Sequence, residues 1–480
     1  MPKRISDMTP EEFSAAGKRV IEWAERYLKD IETYRVLPDI KPGEINKRMP
    51  DSPPDFGEEF DKILEDVDRI VMPGITHWQH PKFMAYFAST ASGPGILADI
   101  VSSTFNSNGM VWKSSPALTE VEAKTLEWYR SMLGLPGNFK GIIYDTASIS
   151  SFHGIAAARD YKFPESRTKG MSSLPAMRLY CSEQAHSSIE KAAIALGVGI
   201  EGVRKIKVDS EFRMIPAELE KAINEDIAMG IDPFCVVATI GTTSTTSVDP
   251  VDAISSICRK YDLWLHVDAA YAGVTAMLPE MKIHFKGIEN ADSIVSNPHK
   301  WLFVPIDLSV FYTKRPETLK RAFSLVPEYL KTEVDAEVEN LMDYGIQLGR
   351  RFRALKLWFV IRYFGVEGLK EILRKHIRLA QSFADWIRES NEFELLAPAP
   401  FSAVCFRAVP PGLKEEDLNK FNKLLLERIN STGELFLTHT VLNDKFTIRL
   451  VVSGIRQEER HVEEARKVIK REYETLLNNQ

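Results

Sequence analysis

Leu263-Trp264-Leu265-His266-Val267-Asp268-Ala269-Ala270-Tyr271-Ala272-Gly273 and Ser293-Ile294-Val295-Ser296-Asn297-Pro298-His299-Lys300-Trp301 are the two stretches on which the fold turns. Each opens as a short apolar run of strand length and closes on small, polar or charged residues. Lys300 follows Asp268 by 32 residues, about one strand–helix–strand unit. The same pattern extends upstream. Phe234 to Ile240 is an apolar run ending at Gly241, Arg178 to Cys181 is strand-like, and Ile189 to Leu196 has helical spacing. Strands separated by helices predict an α/β fold with a mostly parallel sheet and right-handed crossovers. Such sheets bind ligands at the carboxyl ends of their strands, so the polar residues just after each run are the candidates for function.

Outside this region the pattern changes. Thr9, Pro10 and Glu12 form a capping-box signature, and Phe13, Ala16, Val20, Trp23, Ala24, Tyr27 and Leu28 follow at helical spacing. Ile40 to Phe56 is rich in proline and charge and predicts an extended loop, with a second helix over Phe56 to Ile70. Leu348 to Gly365 predicts a helix. Beyond it, candidate strands at Ala403 to Arg407 and Phe446 to Val452 alternate with helices. The organisation expected is an N-terminal helical arm (1–91), a large domain (92–362) and a small α+β C-terminal domain (363–480). The arm is too small to enclose a core and is expected to pack on another domain or subunit.

Composition excludes several classes. The 480 residues carry 61 basic and 67 acidic side chains, a net charge of −6 that offers no phosphate-neutralising surface for nucleic acid. No run approaches the roughly 20 apolar residues of a membrane span, and Met1 to Pro10 lacks a secretory apolar core. Cys181, Cys235, Cys258 and Cys405 form no CxxC pair, so neither a metal site nor a redox motif is expected. They read as reduced core thiols of a cytoplasmic protein. No GxGxxG follows a candidate strand, which disfavours a dinucleotide enzyme.

An aspartate and a lysine on neighbouring strand ends are the minimal kit for pyridoxal phosphate chemistry. The lysine amine forms an imine with the cofactor aldehyde, and the carboxylate keeps the pyridine nitrogen protonated so that the ring draws electrons from a bond at the substrate α-carbon. A partly desolvated pocket lowers the lysine pKa, freeing the amine. The alternative for the same pair is a structural ion pair or two unrelated surface charges. Ala269 and Ala270 favour the cofactor, because small side chains let a flat ring approach. The triplet Thr146-Ala147-Ser148, ahead of the helix-like Phe152 to Ala158, suits a phosphate at a helix N-terminus, or is a plain helix cap. His186, shortly after the Leu179 to Cys181 strand, is placed to stack on a ring, or is a buried hydrogen-bonded histidine.

These motifs, with Met72-Pro73-Gly74-Ile75-Thr76-His77-Trp78, Tyr329-Leu330-Lys331 and Leu348-Gly349-Arg350-Arg351-Phe352-Arg353, occur in one order almost end to end. Together they make the chain resemble the pyridoxal-phosphate-dependent group II amino acid decarboxylases, above all those acting on aromatic amino acids. The resemblance implies the fold type I, aminotransferase-like architecture and a homodimer with active sites at the subunit interface. It implies Lys300 as the imine lysine, Asp268 as the pyridinium partner, and Ala270 and His186 on opposite faces of the ring. Thr146, Ala147, Ser148, Asn297 and His299 then hold the phosphate, with Leu348 and Gly349 offered by the second subunit, and Thr243 lies near the imine. Tyr144-Asp145 departs from the family's usual polar-glycine pair, and a carboxylate there is unfavourable beside a phosphate unless it points away.

Tyr329 matches the family's mobile-loop tyrosine, which protonates the α-carbon after carbon dioxide leaves; a plain surface tyrosine is the alternative. Related aldehyde synthases replace that tyrosine with phenylalanine or the stacking histidine with asparagine. Retention of both here favours decarboxylation to the amine over oxidative aldehyde formation. A catalytically silent scaffold is the reading from another class. Thr332 to Leu341 fits a solvated lid. The side-chain pocket maps by resemblance to Trp78, Tyr86, Phe87, Ala88 and Ser89, with Asn108 and Met110 from the partner. Asn108, Met110, Ala88, Pro305 and Ile306 all depart from animal relatives. The substrate expected is an aromatic amino acid, with glutamate disfavoured because no arginine stands at these positions.

Overall fold

The computed structural model describes residues 5–325 and 337–478. They cluster into two compact units: a larger one, Phe87–Phe406 with Val451–Ile455, and a smaller one, Met1–Tyr86 with Arg407–Leu450 and Arg456–Gln480.

The larger unit is built on a seven-stranded sheet: β1 (Lys140–Tyr144), β2 (Met177–Ser182), β3 (Val203–Ile206), β4 (Asp232–Thr239), β5 (Trp264–Asp268), β6 (Ser293–Ser296) and β7 (Ser309–Thr313). Their order across the sheet is β1-β7-β6-β5-β4-β2-β3. Neighbours from β3 to β6 pair in parallel, and β7 runs antiparallel between β6 and β1. The strands alternate between two cores. Ile142, Leu179, Cys181, Cys235, Val237 and Phe311 face one, and Ile143, Tyr180, Val236, Ala238, Val267 and Tyr312 face the other. Both faces are buried, which is why the central strands read as unbroken apolar runs in the sequence. The helix Ala147–Lys162 lies on the first face, its small Gly154, Ala156, Ala157 and Ala158 buried against the sheet. An added Cβ at Gly154 would meet His266 Nδ1 at 2.9 Å, so the helix can sit this close only with glycine there.

The larger unit also holds β8 (Phe393–Leu395) and most of β9 (Ala403–Ala408). In the smaller unit β10 (Thr438–Leu442) and β11 (Lys445–Val451) form an antiparallel hairpin. Its first helix, Pro10–Lys29, starts on the predicted box: the Glu12 N–H donates to Thr9 Oγ1 at 3.2 Å, and the Thr9 N–H donates to Glu12 Oε2 at 2.8 Å.

Three local expectations are corrected. The 40–56 loop contains a short helix, Glu44–Arg48. The second helix is shorter than expected, Phe60–Asp66, and passes into a π turn at Val67–Val71. Leu348 to Arg353 is not helical, and the helix begins at Ala354 and runs to Glu389 with a break at Gly365 (φ +66°). The reason lies at Arg350, whose guanidinium is turned inward onto Glu122 Oε1 (2.8 Å) and the Ile143 carbonyl (2.6 Å). All four cysteines are buried and none forms a disulfide. No helix among the described residues is long and apolar enough to cross a membrane, and those residues include no group of metal-ligating side chains.

Candidate active site

The carboxyl ends of β1, β2, β4, β5 and β6 converge on a cavity of about 220 Å³. Its walls hold Phe87, Thr146, Ala147, Ser148, His186, Thr243, Asp268, Ala270, Asn297, His299 and Lys300, residues singled out from sequence and scattered over more than 200 positions. Sequence reasoning missed Thr239, Gly241, Tyr271 and Ser188, which also line it. Thr239 was legible in principle as the polar last residue of β4, and its backbone pairs in register with Asp268. Gly241 has φ +85°, and a Cβ there would meet Ala272 Cβ at 2.7 Å.

Lys300 stands on the one-turn helix Pro298–Trp301 that follows β6. Its Nζ lies 5.3 Å from the Phe87 ring centroid. Burial pushes its pKa down, with Asp268 opposing. Asp268 ends β5, and its Oδ1 accepts the Ala270 N–H at 3.0 Å, which fixes the carboxylate. Phe87 stacks on Tyr271 (3.7 Å, 12°) and Tyr271 on Trp301 (4.7 Å, 6°), giving the cavity a flat aromatic wall. Lys356, outside the cavity lining, is fully buried and donates to the carbonyls of Pro305 (3.0 Å) and Asp307 (2.9 Å). Burial brings its own pKa down to about 8.

Two ring tautomers follow from the hydrogen bonds. Ser188 N–H donates to His186 Nδ1 at 3.1 Å, so a neutral His186 carries its proton on Nε2. Desolvation lowers the His186 pKa, Asp268 raises it, and Lys300 and Lys191 lower it further. The Leu308 N–H donates to His299 Nδ1 at 3.0 Å. Burial pushes the His299 pKa down to about 3, so its single proton also sits on Nε2. The Asn297 amide lies 3.3 Å from that nitrogen and must present its oxygen to it. Its NH₂ then takes the other, buried position, which receives no hydrogen bond from any described residue.

Thr146 caps the helix Ala147–Lys162, whose first N–H groups have no intrahelical acceptor. The Asp145 carboxylate has turned onto Thr146: its Oδ1 accepts the Thr146 N–H at 2.6 Å and lies 3.1 Å from Thr146 Oγ1.

The remaining expected residues lie elsewhere. Trp78 and Tyr86 belong to the smaller unit, where they stack at 5.8 Å. Ser89 is half-buried in the larger unit and does not line the cavity. Asn108, Met110, Leu348 and Gly349 form a separate cluster: Arg350 N–H donates to Asn108 Oδ1 at 2.9 Å, and Asn108 Nδ2 lies 3.8 Å from Met110 Sδ. Leu348 and Gly349 are exposed. The Arg350–Glu122 pair anchors this cluster and is buried on both sides. Glu122→Ala leaves the guanidinium without its charge partner and is expected to lower unfolding stability by about 3 kcal/mol, measured by urea denaturation. Tyr329 lies outside the described residues, as does the first half of the expected lid. In the described remainder Glu337 is exposed and Val338 and Glu339 are half-buried, while Asn340 and Leu341 are buried, and Asn340 Oδ1 accepts the Trp112 N–H at 2.9 Å.

A lysine and an aspartate facing one cavity, beside a helix N-terminus and at the carboxyl ends of a mostly parallel sheet, define a class of enzymes working through a phosphorylated carbonyl cofactor. Residues 42–409 match the family described as the pyridoxal-dependent decarboxylase conserved domain. The chain is 38% identical to tryptophan decarboxylase 2 of Oryza sativa subsp. japonica, over 98% of this chain and 97% of that one. It is equally 38% identical to a phenylacetaldehyde synthase of Arabidopsis thaliana, over 99% of both. The structure of Oryza sativa TDC with PLP and tryptamine superposes with a TM-score of 0.96 at 35% identity, covering 98% of this chain and 99% of that one. The chain therefore belongs to the pyridoxal-dependent decarboxylases, carboxy-lyases whose cofactor is pyridoxal 5'-phosphate. The donor set fits that group: an unpartnered amide end at Asn297, an unpartnered hydroxyl at Thr239 and free helix N–H groups supply donors, and Asp268 supplies the fixed negative charge.

Proposed function

We propose that the chain decarboxylates aromatic L-amino acids to the corresponding arylalkylamines, with the strand-end cavity as its active site. The observation that carries this is Lys300, an amine whose pKa is lowered by burial, opening into the same cavity as the Asp268 carboxylate. Pyridoxal phosphate, when bound, supplies an aldehyde for amines and a ring that accepts electrons from a bond at the α-carbon. Lys300 offers an amine that deprotonates readily. Asp268 holds a proton at the ring nitrogen. Asn297, Thr146 and the N–H groups at Ala147 and Ser148 would bind the phosphate, with Thr243 beside the reacting amine. Ala270 and His186, both lining the cavity, would hold the ring, and His186 Nε2–H is the proton it could share. Tyr329 donates the proton that replaces the lost carboxylate.

The Phe87–Tyr271–Trp301 stack supports an aromatic substrate, and no arginine among the described residues lines the cavity to bind a second carboxylate. Relatives named for tryptophan and tyrosine decarboxylation support the same class. The exposed Asn108, Leu348 and Gly349, with the half-buried Met110, support a homodimer in which each chain completes its partner's site, with Trp78, Tyr86 and Ser89 helping to form the side-chain pocket and the 1–91 arm packing on the partner. The buried thiols support a cytoplasmic setting.

The test is incubation with the twenty amino acids and mass spectrometry of the products; amine and carbon dioxide from tryptophan, tyrosine, phenylalanine or dihydroxyphenylalanine are expected. Equal identity to an aldehyde synthase gives the second reading a footing. Aldehyde with ammonia and hydrogen peroxide would decide for it. Tyr329→Phe is expected to divert most product from amine to aldehyde. Unchanged amine output would remove Tyr329 as the proton donor.

A further inference from the structure

Asp145 stands directly after β1, one residue before the cap of the helix Ala147–Lys162. Its carboxylate is not directed away from the cap. One oxygen takes the Thr146 N–H at 2.6 Å and lies within hydrogen-bond reach of the Thr146 hydroxyl at 3.1 Å. The other lies 3.4 Å from Gln347 Nε2. Thr146, Ala147 and Ser148 line the cavity and are the donors nearest the strand end. An anion built into the chain thus holds donors that a bound phosphate needs, and two anions drawn to the same helix N-terminus repel each other.

We propose that Asp145 sets the affinity of this chain for the cofactor phosphate by competing for Thr146, so that the holoenzyme exchanges its cofactor more readily than its fold alone requires. This rests on the assignment of the cavity as the pyridoxal phosphate site. For the phosphate to use Thr146, the carboxylate must leave it. Gln347, already at the second oxygen, gives the displaced carboxylate a donor to turn to. The repulsion acts on the phosphate end alone, because the aldehyde and the ring nitrogen are served by Lys300 and Asp268 on other strands.

Asp145→Asn keeps the side chain's shape and an oxygen for the Thr146 N–H but removes the charge. The experiment is equilibrium titration of cofactor-stripped full-length protein, wild type and Asp145→Asn, with pyridoxal phosphate and separately with pyridoxal. Binding is followed by visible absorbance and quenching of tryptophan fluorescence. Asp145→Asn is expected to bind pyridoxal phosphate about tenfold more tightly and pyridoxal, which has no phosphate, with unchanged affinity. Equal affinities for pyridoxal phosphate would overturn the proposal. So would weaker binding by the variant, which would make Asp145 an organiser of the phosphate site. Equal tightening for both compounds would place the effect on the ring. If neither protein binds pyridoxal phosphate, the cofactor site itself is misassigned, and the proposal falls with it.

Discussion

Lys300→Ala is expected to abolish turnover, with kcat/KM falling by about 10⁴-fold or more, near 5.5 kcal/mol of lost transition-state stabilisation. Among the described residues the lysine amine has no substitute in the cavity. Lys356 is tied to the Pro305 and Asp307 carbonyls, and no other lysine among the described residues lines the wall. The variant is also expected to lose the visible absorbance that the wild type gains on adding pyridoxal phosphate, while its fold survives. Burying an ammonium against Phe87 is costly, so alanine relieves a desolvation penalty. Urea denaturation without cofactor should therefore show the variant no less stable than the wild type. Retained turnover would remove Lys300 from the chemistry.

The second large effect is at Asp268. Asp268→Asn keeps a side-chain oxygen for the Ala270 N–H but removes the negative charge. Its kcat/KM is expected to drop by about 10³-fold, because the ring nitrogen loses the group that holds its proton. Asp268→Ala should lose at least as much activity and also cost about 1–3 kcal/mol of stability, since the buried Ala270 N–H is left without its acceptor. Measuring both variants separates the two roles: activity falls in each, stability only in the alanine. Near-normal rates in Asp268→Asn would show that the ring nitrogen is served by another group.

Much of the site was readable because parallel sheets collect their functional residues at strand ends. Asp268 closes β5, Asn297 and Lys300 follow β6, His186 follows β2, and Thr146 follows β1. Asp268 and Lys300 each follow an apolar run, a local pattern that needs no knowledge of the fold, whereas the parts given to His186, Asn297 and Thr146 lean on the family resemblance. Thr239 escaped notice because Ile240 carries the apolar run past it to Gly241, and Tyr271 because it sits in a run of small apolar residues. Leu348 to Arg353 was misjudged as helix for a different reason. Its composition is compatible with a helix, and a buried ion pair to a distant glutamate overrides local propensity.

The alternation of strand and helix, the apolar runs buried on both faces and the chemical kit of amine, carboxylate and helix cap belong to the sequence alone. They depend on periodicity and on neighbours a few residues apart. Only the tertiary structure decided that β7 runs antiparallel between β6 and β1, that Phe87 stacks on Tyr271, that Arg350 meets Asn108 across 242 residues, and that the Asp145 carboxylate lies on Thr146. Most of those contacts join segments whose approach is set by the packing of the whole core. The last depends on a side-chain rotamer chosen among competing donors, which no run of letters records.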